Sequence, residues 1–366
     1  MILFLHNRYR VTGGEERAVD DLLWLVREHL GEEVALLERD SAALGRGRAA
    51  VALLRGGLQP DDVAAAVRRT GARAVSAHNL NPAFGWRALA AARSAGARAV
   101  LHLHNYRLVC AVGTCFNSDG DDCVRCRGRD TLPGVRLNCR GTGAEAAVYA
   151  ASLALWQRRI TEHADAIVVP SHFAVRRLRE LRAPVDPARV HVVPHALREH
   201  ASASRAGAGE HVLVAARLSA EKGIDLAVEA CARAGLPLVV AGDGPQAAQL
   251  RAAGGARFAG RVSQAELAEL RDRAALAMVP SRAAETFGLA AAEAMAAGVP
   301  VVATATGALP ELVDPAGLAP PGDVDALAAA AKARFGDEVA GADGLRRIAD
   351  LASPTAVAPR LRAIYG

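Results

Sequence analysis

Eight short apolar runs punctuate this chain, and stretches rich in alanine with helical spacing follow most of them. In the first half the runs are Ile2 to Leu5, Ala74 to Ala77, Ala99 to Leu103 and Ala166 to Val169; in the second they are Val212 to Ala215, Leu238 to Ala241, Leu276 to Val279 and Val299 to Ala303. Continuous apolar runs of this length mark strands buried on both faces. Helical patterns cover roughly 15–30, 61–70, 85–94, 144–162 and 172–181, then 224–234, 246–253 and 264–273. Such alternation predicts α/β architecture with a parallel sheet, built twice. Residues 196–209 lose the pattern and become small and polar, so they read as a linker between a domain at 1–195 and another at 210–353. Two Rossmann-like domains facing a central cleft account for this layout, with ligands held beyond the carboxyl ends of the strands.

The bulk numbers narrow the function. A chain of 366 residues, 51% hydrophobic, can bury two cores, while an aromatic content of 4% argues against a base-stacking surface despite a pI near 9.1, so no nucleic-acid partner is expected. Met1 to Leu5 is too short and lacks the basic flank of a signal peptide, and no run approaches the ~20 apolar residues of a membrane span. The expectation is a cytoplasmic protein, soluble or peripheral at the inner face of the membrane. Residues 1–195 carry 27 Arg against 20 acids, a net +7, whereas 196–366 sum to −2. The runs Arg125-Cys-Arg127-Gly-Arg129 and Arg176-Arg-Leu-Arg179 are candidate contacts for an anionic or membrane-presented partner, or else an arginine-rich solvated surface.

The segment Glu285-Thr-Phe-Gly-Leu-Ala-Ala-Ala-Glu293 sets two carboxylates around an otherwise uncharged helix start. With a helix beginning near Phe287, the N–H groups of Phe287, Gly288 and Leu289 would be first-turn donors at the positive end of the dipole, a place suited to a diphosphate. Glu285 and Glu293 could then meet sugar and ribose hydroxyls. The plainer alternative is a capping charge and a solvated side chain. On another strand-to-helix loop stand Arg217 and Lys222, five residues apart, able to converge on phosphate. Lys222 is one of only two lysines among 44 basic residues, in a chain that otherwise uses arginine.

These segments resemble the retaining glycosyltransferases of family 4. The resemblance rests on the glutamate spacing with its Phe-Gly-Leu insert, the following Glu-Ala-Met-Ala-Ala-Gly-Val-Pro-Val-Val, the later Gly307-Ala-Leu-Pro-Glu-Leu-Val313, and Arg217-Leu-Ser-Ala-Glu-Lys222-Gly223. It implies the GT-B fold, a nucleoside-diphosphate-sugar donor, an acceptor hydroxyl of unknown identity and no catalytic metal. It further implies that residues 354–366 form a helix crossing back to the first domain. Arg217 and Lys222 would stabilise the leaving diphosphate, Glu293 would bind ribose and Glu285 would position hydroxyls of the transferred sugar. The loops Ala241-Gly242-Asp-Gly-Pro245 and Phe258-Ala-Gly-Arg261-Val262 resemble those lining the nucleobase pocket. In the first domain, Thr12-Gly13-Gly14 resembles the family's glycine pair, and His104 matches its histidine beside the reacting sugar.

Five cysteines crowd the loop at 110–139. Cys123-Val-Arg-Cys126 has the spacing of a zinc knuckle that Cys110 and Cys139 could complete, leaving Cys115 over; reduced thiols are the competing reading. The expected activity is retaining transfer of a hexosyl or related group. Two alternatives stay open: a GT-B sugar-nucleotide epimerase, and a nucleotide-sugar-binding protein without transfer activity. The latter is kept by Ala215-Ala-Arg217, where the family has glycine before the arginine, and by Pro194-His-Ala196, where it often has an Asn-Gly turn.

Overall fold

Each of the eight apolar runs forms or overlaps a strand in the computed structural model, which describes residues 1–9 and 13–366. Among these residues the chain divides into two units: Met1–Asp119, Cys123–Ala196 and Pro354–Gly366 make one, and Gly120–Asp122 with Leu197–Ser353 make the other. The first holds a six-stranded sheet of β1 (Ile2–Arg8), β2 (Val34–Asp40), β3 (Ala74–Ala77), β4 (Arg98–His102), β5 (Ala166–Val169) and β6 (Val190–Val192), in the order β2-β1-β3-β4-β5-β6. The second holds β7 (His211–Ala215), β8 (Leu238–Ala241), β9 (Arg257–Gly260), β10 (Ala274–Val279), β11 (Val301–Thr304) and β12 (Leu318–Ala319), in the order β12-β11-β10-β7-β8-β9. Every strand pairing is parallel.

Alternation along each central strand feeds two cores. Ile2 and Phe4 join Leu22, Val26 and Leu361 on one face of the first sheet, while Leu3 and Leu5 join Val63, Val67 and Leu89 on the other. In the second unit Val212 and Val214 pack with Ile224 and Leu327, and Leu213 packs with Met295 and Ile348. Double-sided burial explains why these strands read as unbroken apolar runs. β2 is an edge strand with Leu36, Glu38 and Asp40 exposed, so its sequence lacks that signature.

One stretch behaves differently from the sequence expectation. Residues 197–209 are built into the second unit rather than hanging as a loose linker: Leu197 N donates to Ala352 O at 2.9 Å, Ala201 N donates to Ala296 O at 2.7 Å, and Leu197 and Ala206 are buried. The helix Pro354–Tyr365 belongs to the first unit. It buries Val357, Leu361, Ile364 and Tyr365 against the helix Gly14–Leu30 and the sheet. Arg73 Nη1 donates to Tyr365 O and Arg98 Nε to Ile364 O, each at 2.8 Å, fixing its final turn.

All three tryptophans, Trp24, Trp86 and Trp156, lie in the first unit, so their fluorescence reports on it alone. Leu361→Ala, at a site 1% exposed, should lower the unfolding free energy followed by tryptophan emission by about 2–5 kcal/mol, the usual range for a buried leucine. A change under about 0.5 kcal/mol, the range of ordinary surface substitutions, would show that this helix contributes little to the unit.

Candidate functional site

In each sheet the chain reverses its direction of growth once, and at that switch point the loops from two neighbouring strands splay apart. The second sheet switches between β7 and β10. The loop leaving β7 carries Arg217 and Lys222, and the loop leaving β10 carries Glu285. They are clipped together by Arg282 N and Ala283 N, which donate to Glu221 O at 2.9 and 3.1 Å, and by a bidentate Arg282–Asp225 pair.

That clip brings Lys222 Nζ to 2.6 Å from Glu285 Oε1, which also accepts from Ser281 Oγ at 2.6 Å. Burial alone would push the Glu285 carboxyl up, but the Lys222 ammonium and both hydrogen bonds outweigh it and hold the group below the ordinary carboxylate value. Burial likewise opposes the charge on Lys222, and Glu285 reverses this, raising it above the ordinary lysine value. Both groups are therefore charged at neutral pH. Glu285 Oε2 has no partner among the described residues, so the pair can meet an anion through the ammonium and a hydroxyl through the free oxygen. Gly307, at φ 62°, lies against the Glu285 backbone so tightly that an added Cβ would sit 2.2 Å from its nitrogen.

The helix after this loop spans Leu289–Ala296, two residues later than expected. Gly288 caps it in a left-handed conformation at φ 92°, and Phe287, 2% exposed, is part of the core. The first-turn donors are thus Leu289, Ala290 and Ala291, and the Phe287 amide precedes the helix. Glu293, assigned above to ribose, forms an ion pair with Arg271 of the helix Gln264–Asp272, a partner its sequence neighbours gave no reason to expect. Arg217 is exposed, its side chain without a hydrogen bond or ion pair among the described residues, and Arg261 is exposed next to the half-buried Val262. Gly242, at φ 146°, has no room for a side chain: an added Cβ would lie 1.9 Å from Ala216 O.

In the first unit the switch falls between β1 and β3. Gly13 and Gly14 are exposed at the start of the helix Gly14–Leu30, where Glu16 accepts from Gly13 N at 2.7 Å and Tyr9 N at 3.1 Å. Thr12, quoted with them above, lies outside the described residues. Glu15 accepts from Tyr9 Oη at 2.7 Å and Asn105 Nδ2 at 2.9 Å, and burial raises its carboxyl above the ordinary value. His104 lies two residues beyond β4 and is not isolated. It belongs to a row of imidazoles, with ring centroids 5.1 Å from His78 and 5.2 Å from His195, and His102 stacks on His78 at 4.6 Å. Burial and mutual repulsion keep these rings neutral: His104 and His195 are each pushed down to about 3, and His78 and His102 well below the ordinary value. Sequence reasoning found His104 and missed the row, because its members come from three separate segments.

Among the described residues the cysteine loop forms no disulfide. Among the described residues no group of three or more His, Cys, Asp or Glu is arranged to hold a metal, Cys110, Cys123, Cys126 and Cys139 included. The thiols are near enough to repel one another's ionisation: burial, then Cys110, pushes Cys126 up to about 12. Of the two arginine runs, Arg177 is buried and paired with Glu180 at 3.3 Å, so it is no part of an exposed cationic surface.

Lys222→Ala should lower stability at neutral pH by about 1–3 kcal/mol, because it strands the Glu285 carboxylate. Adding Glu285→Gln should restore part of the loss, and a double-mutant cycle that closes to zero coupling would dismiss the pair. The histidine row predicts acid sensitivity. Its folded pKa values lie below the unfolded 6.5, so the stabilisation is whole above 6.5 and falls as pH drops from there toward about 3, by up to about 1.4 kcal/mol per pH unit for each ring. Denaturant titrations between these limits should show the first unit taking up protons as it unfolds; a flat profile would contradict the neutral row.

Comparison with known proteins places this architecture. The model described as Glycosyl transferase 4-like domain matches residues 11–196, and Glycosyl transferases group 1 matches residues 209–337. An exopolysaccharide phosphotransferase of Streptomyces coelicolor is 33% identical over 48% of this chain and 20% of its own length. The MMP alpha-(1->4)-mannosyltransferase of Mycolicibacterium hassiacum is 40% identical over 28% of this chain and 27% of its own. The chain thus spans well under two thirds of these curated relatives. Among solved structures, the fold is similar to sucrose-phosphate synthase from Thermosynechococcus elongatus, with TM-score 0.71, 21% identity, and coverage of 100% of this chain and 98% of that one. It is also similar to Anabaena HepE in complex with UDP and glucose, with TM-score 0.63, 18% identity, and coverage of 99% and 98%. Two six-stranded parallel sheets flanked by helices match the GT-B glycosyltransferase fold. With half of its length matched by the first of these models, the chain belongs to the glycosyl transferase 4-like family.

Proposed function

We propose that this protein transfers a hexosyl or related group from a nucleoside-diphosphate sugar to an acceptor hydroxyl, with retention of anomeric configuration. The observation that carries the reading is the Lys222–Glu285–Ser281 cluster at the switch point of the second sheet, beside the helix begun by Gly288 and the exposed Arg217. Arg217, Lys222 and the first-turn amides of that helix would take the diphosphate, and these fixed positive charges stabilise the leaving group without calling on a catalytic metal. Glu285 Oε2 would accept from a hydroxyl of the sugar, Glu293 would share its carboxylate between Arg271 and ribose, and Gly242, Arg261 and Val262 would border the base. Gly13, Gly14 and His104 are the contributions assigned to the first unit. Retention is supported by the family-4 resemblance of the Glu285–Glu293 segment, and the nucleotide donor by the UDP bound to the similarly folded HepE.

The acceptor is proposed to be anionic or presented on a membrane surface, with Arg125, Arg127 and Arg129 as the exposed cations in question. Among the described residues no helix is long and apolar enough to cross a membrane.

A thermal-shift and calorimetry panel of nucleoside diphosphates and their sugars tests the donor, and the anomeric configuration of any product, read by NMR, tests retention. Arg217→Ala should weaken diphosphate binding by about 1.5–3 kcal/mol, the range for a hydrogen bond to a charged group. Glu285→Gln should slow turnover more than it weakens binding. Unchanged rates in Glu285→Gln would remove it from the site. Donor turnover without acceptor would favour an epimerase, and binding with no product a nucleotide-sugar-binding protein.

A further inference from the structure

The histidine row is joined to the helix Pro354–Tyr365 by an unbroken chain of hydrogen bonds, buried except at its His104 end. Tyr365 Oη lies 3.2 Å from His102 Nε2 and 2.9 Å from Ser76 Oγ, Ser76 Oγ lies 3.1 Å from His78 Nε2, and His78 Nδ1 lies 2.8 Å from His104 Nε2. Ser76 sits on β3, His102 on β4, and His78 and His104 just beyond those strands. We propose that Tyr365 is a positioning residue for His104, setting its tautomer through Ser76 and His78. The inference rests on the reading of His104 as a contact to the transferred sugar.

Proton counting gives the chain its constraint. A hydroxyl donates one hydrogen and a neutral imidazole carries one, and burial keeps these imidazoles neutral and Tyr365 protonated. Ser76 is fully buried and has no third partner among the described residues, so its hydrogen must go to Tyr365 or to His78. All the bonds therefore point the same way. In one direction His102 donates to Tyr365, Tyr365 to Ser76, Ser76 to His78 and His78 to His104, which leaves the His104 proton on Nδ1. In the other, His104 donates from Nε2 and every later bond is reversed. The choice decides whether the Nδ1 of His104 donates or accepts, and a sugar hydroxyl needs a matching partner. Removing the tyrosine hydroxyl cuts the chain and frees that choice.

The test is nitrogen-15 NMR of the histidine rings in the full chain at neutral pH, with His104 assigned by the signals missing from His104→Gln. Tyr365→Phe keeps the ring that packs in the core and removes only the hydroxyl. It should change the His104 tautomer ratio by about two- to tenfold, the population change that loss of one hydrogen bond produces. Ser76→Ala should do the same, while His163, which stacks on Trp86 outside the chain of bonds, stays unchanged. Tryptophan emission confirms that each variant is folded, and Ser76→Ala decides the matter should Tyr365→Phe fail to fold. Unchanged His104 nitrogens in a folded Tyr365→Phe, or in Ser76→Ala, would overturn the proposal. Sugar transfer that survives in His104→Gln would instead remove His104 from the reaction and leave the tautomer result standing.

Discussion

A strand buried on both faces has no wet side, and this one condition organises both units. Polar chemistry is excluded from the middle of such a strand and pushed to the place where it stops. Lys222 and Glu285 obey this rule: they stand on loops that leave β7 and β10, strands that end in the apolar residues Ala215 and Val279. The first sheet bends the rule, since His6, Ser76 and His102 lie within strands and are nearly inaccessible. Ser76 and His102 are tolerable there because each finds a partner in the bonded chain that runs from His102 through Tyr365 to His104. His6 has none for either ring nitrogen among the described residues.

Charge is handled differently in the two units. The second opposes a buried ammonium with a carboxylate, so both stay ionised and each holds the other in place. The first gathers imidazoles and holds them neutral by burial. One arrangement suits a ligand that carries charge, the other a ligand of hydroxyls.

Much of this could be read from residue order alone. The runs at 74–77, 166–169 and 238–241 match β3, β5 and β8 end to end, because strands with no exposed face leave an apolar signature that nothing nearby mimics. β2 escaped notice since its exposed positions alternate with half-buried ones, and β12 is only two residues long. The start of the helix after Glu285 was misplaced because apolar content does not distinguish Phe287, which fills the core, from a first-turn residue; the left-handed Gly288 makes the distinction. Glu285 was visible through its spacing to Glu293, but the contacts of each with Lys222 and Arg271 cross many residues and leave no local mark. The same holds for the histidine row, whose members are brought together by the pairing of β3, β4, β5 and β6.

The helix Pro354–Tyr365 has a consequence for how this protein is made. A ribosome finishes the sheet of the first unit by residue 192, yet the helix that covers part of it is not synthesised until the whole of the second unit has emerged. Through that interval the faces that will receive Leu361, Ile364 and Tyr365 stand open, and Ser76 and His102 wait without the tyrosine hydroxyl. The unit that begins first is thus finished last. Its nascent form carries an apolar surface for the time needed to translate residues 197–353, which makes it, rather than the second unit, the part most in need of protection from aggregation during synthesis.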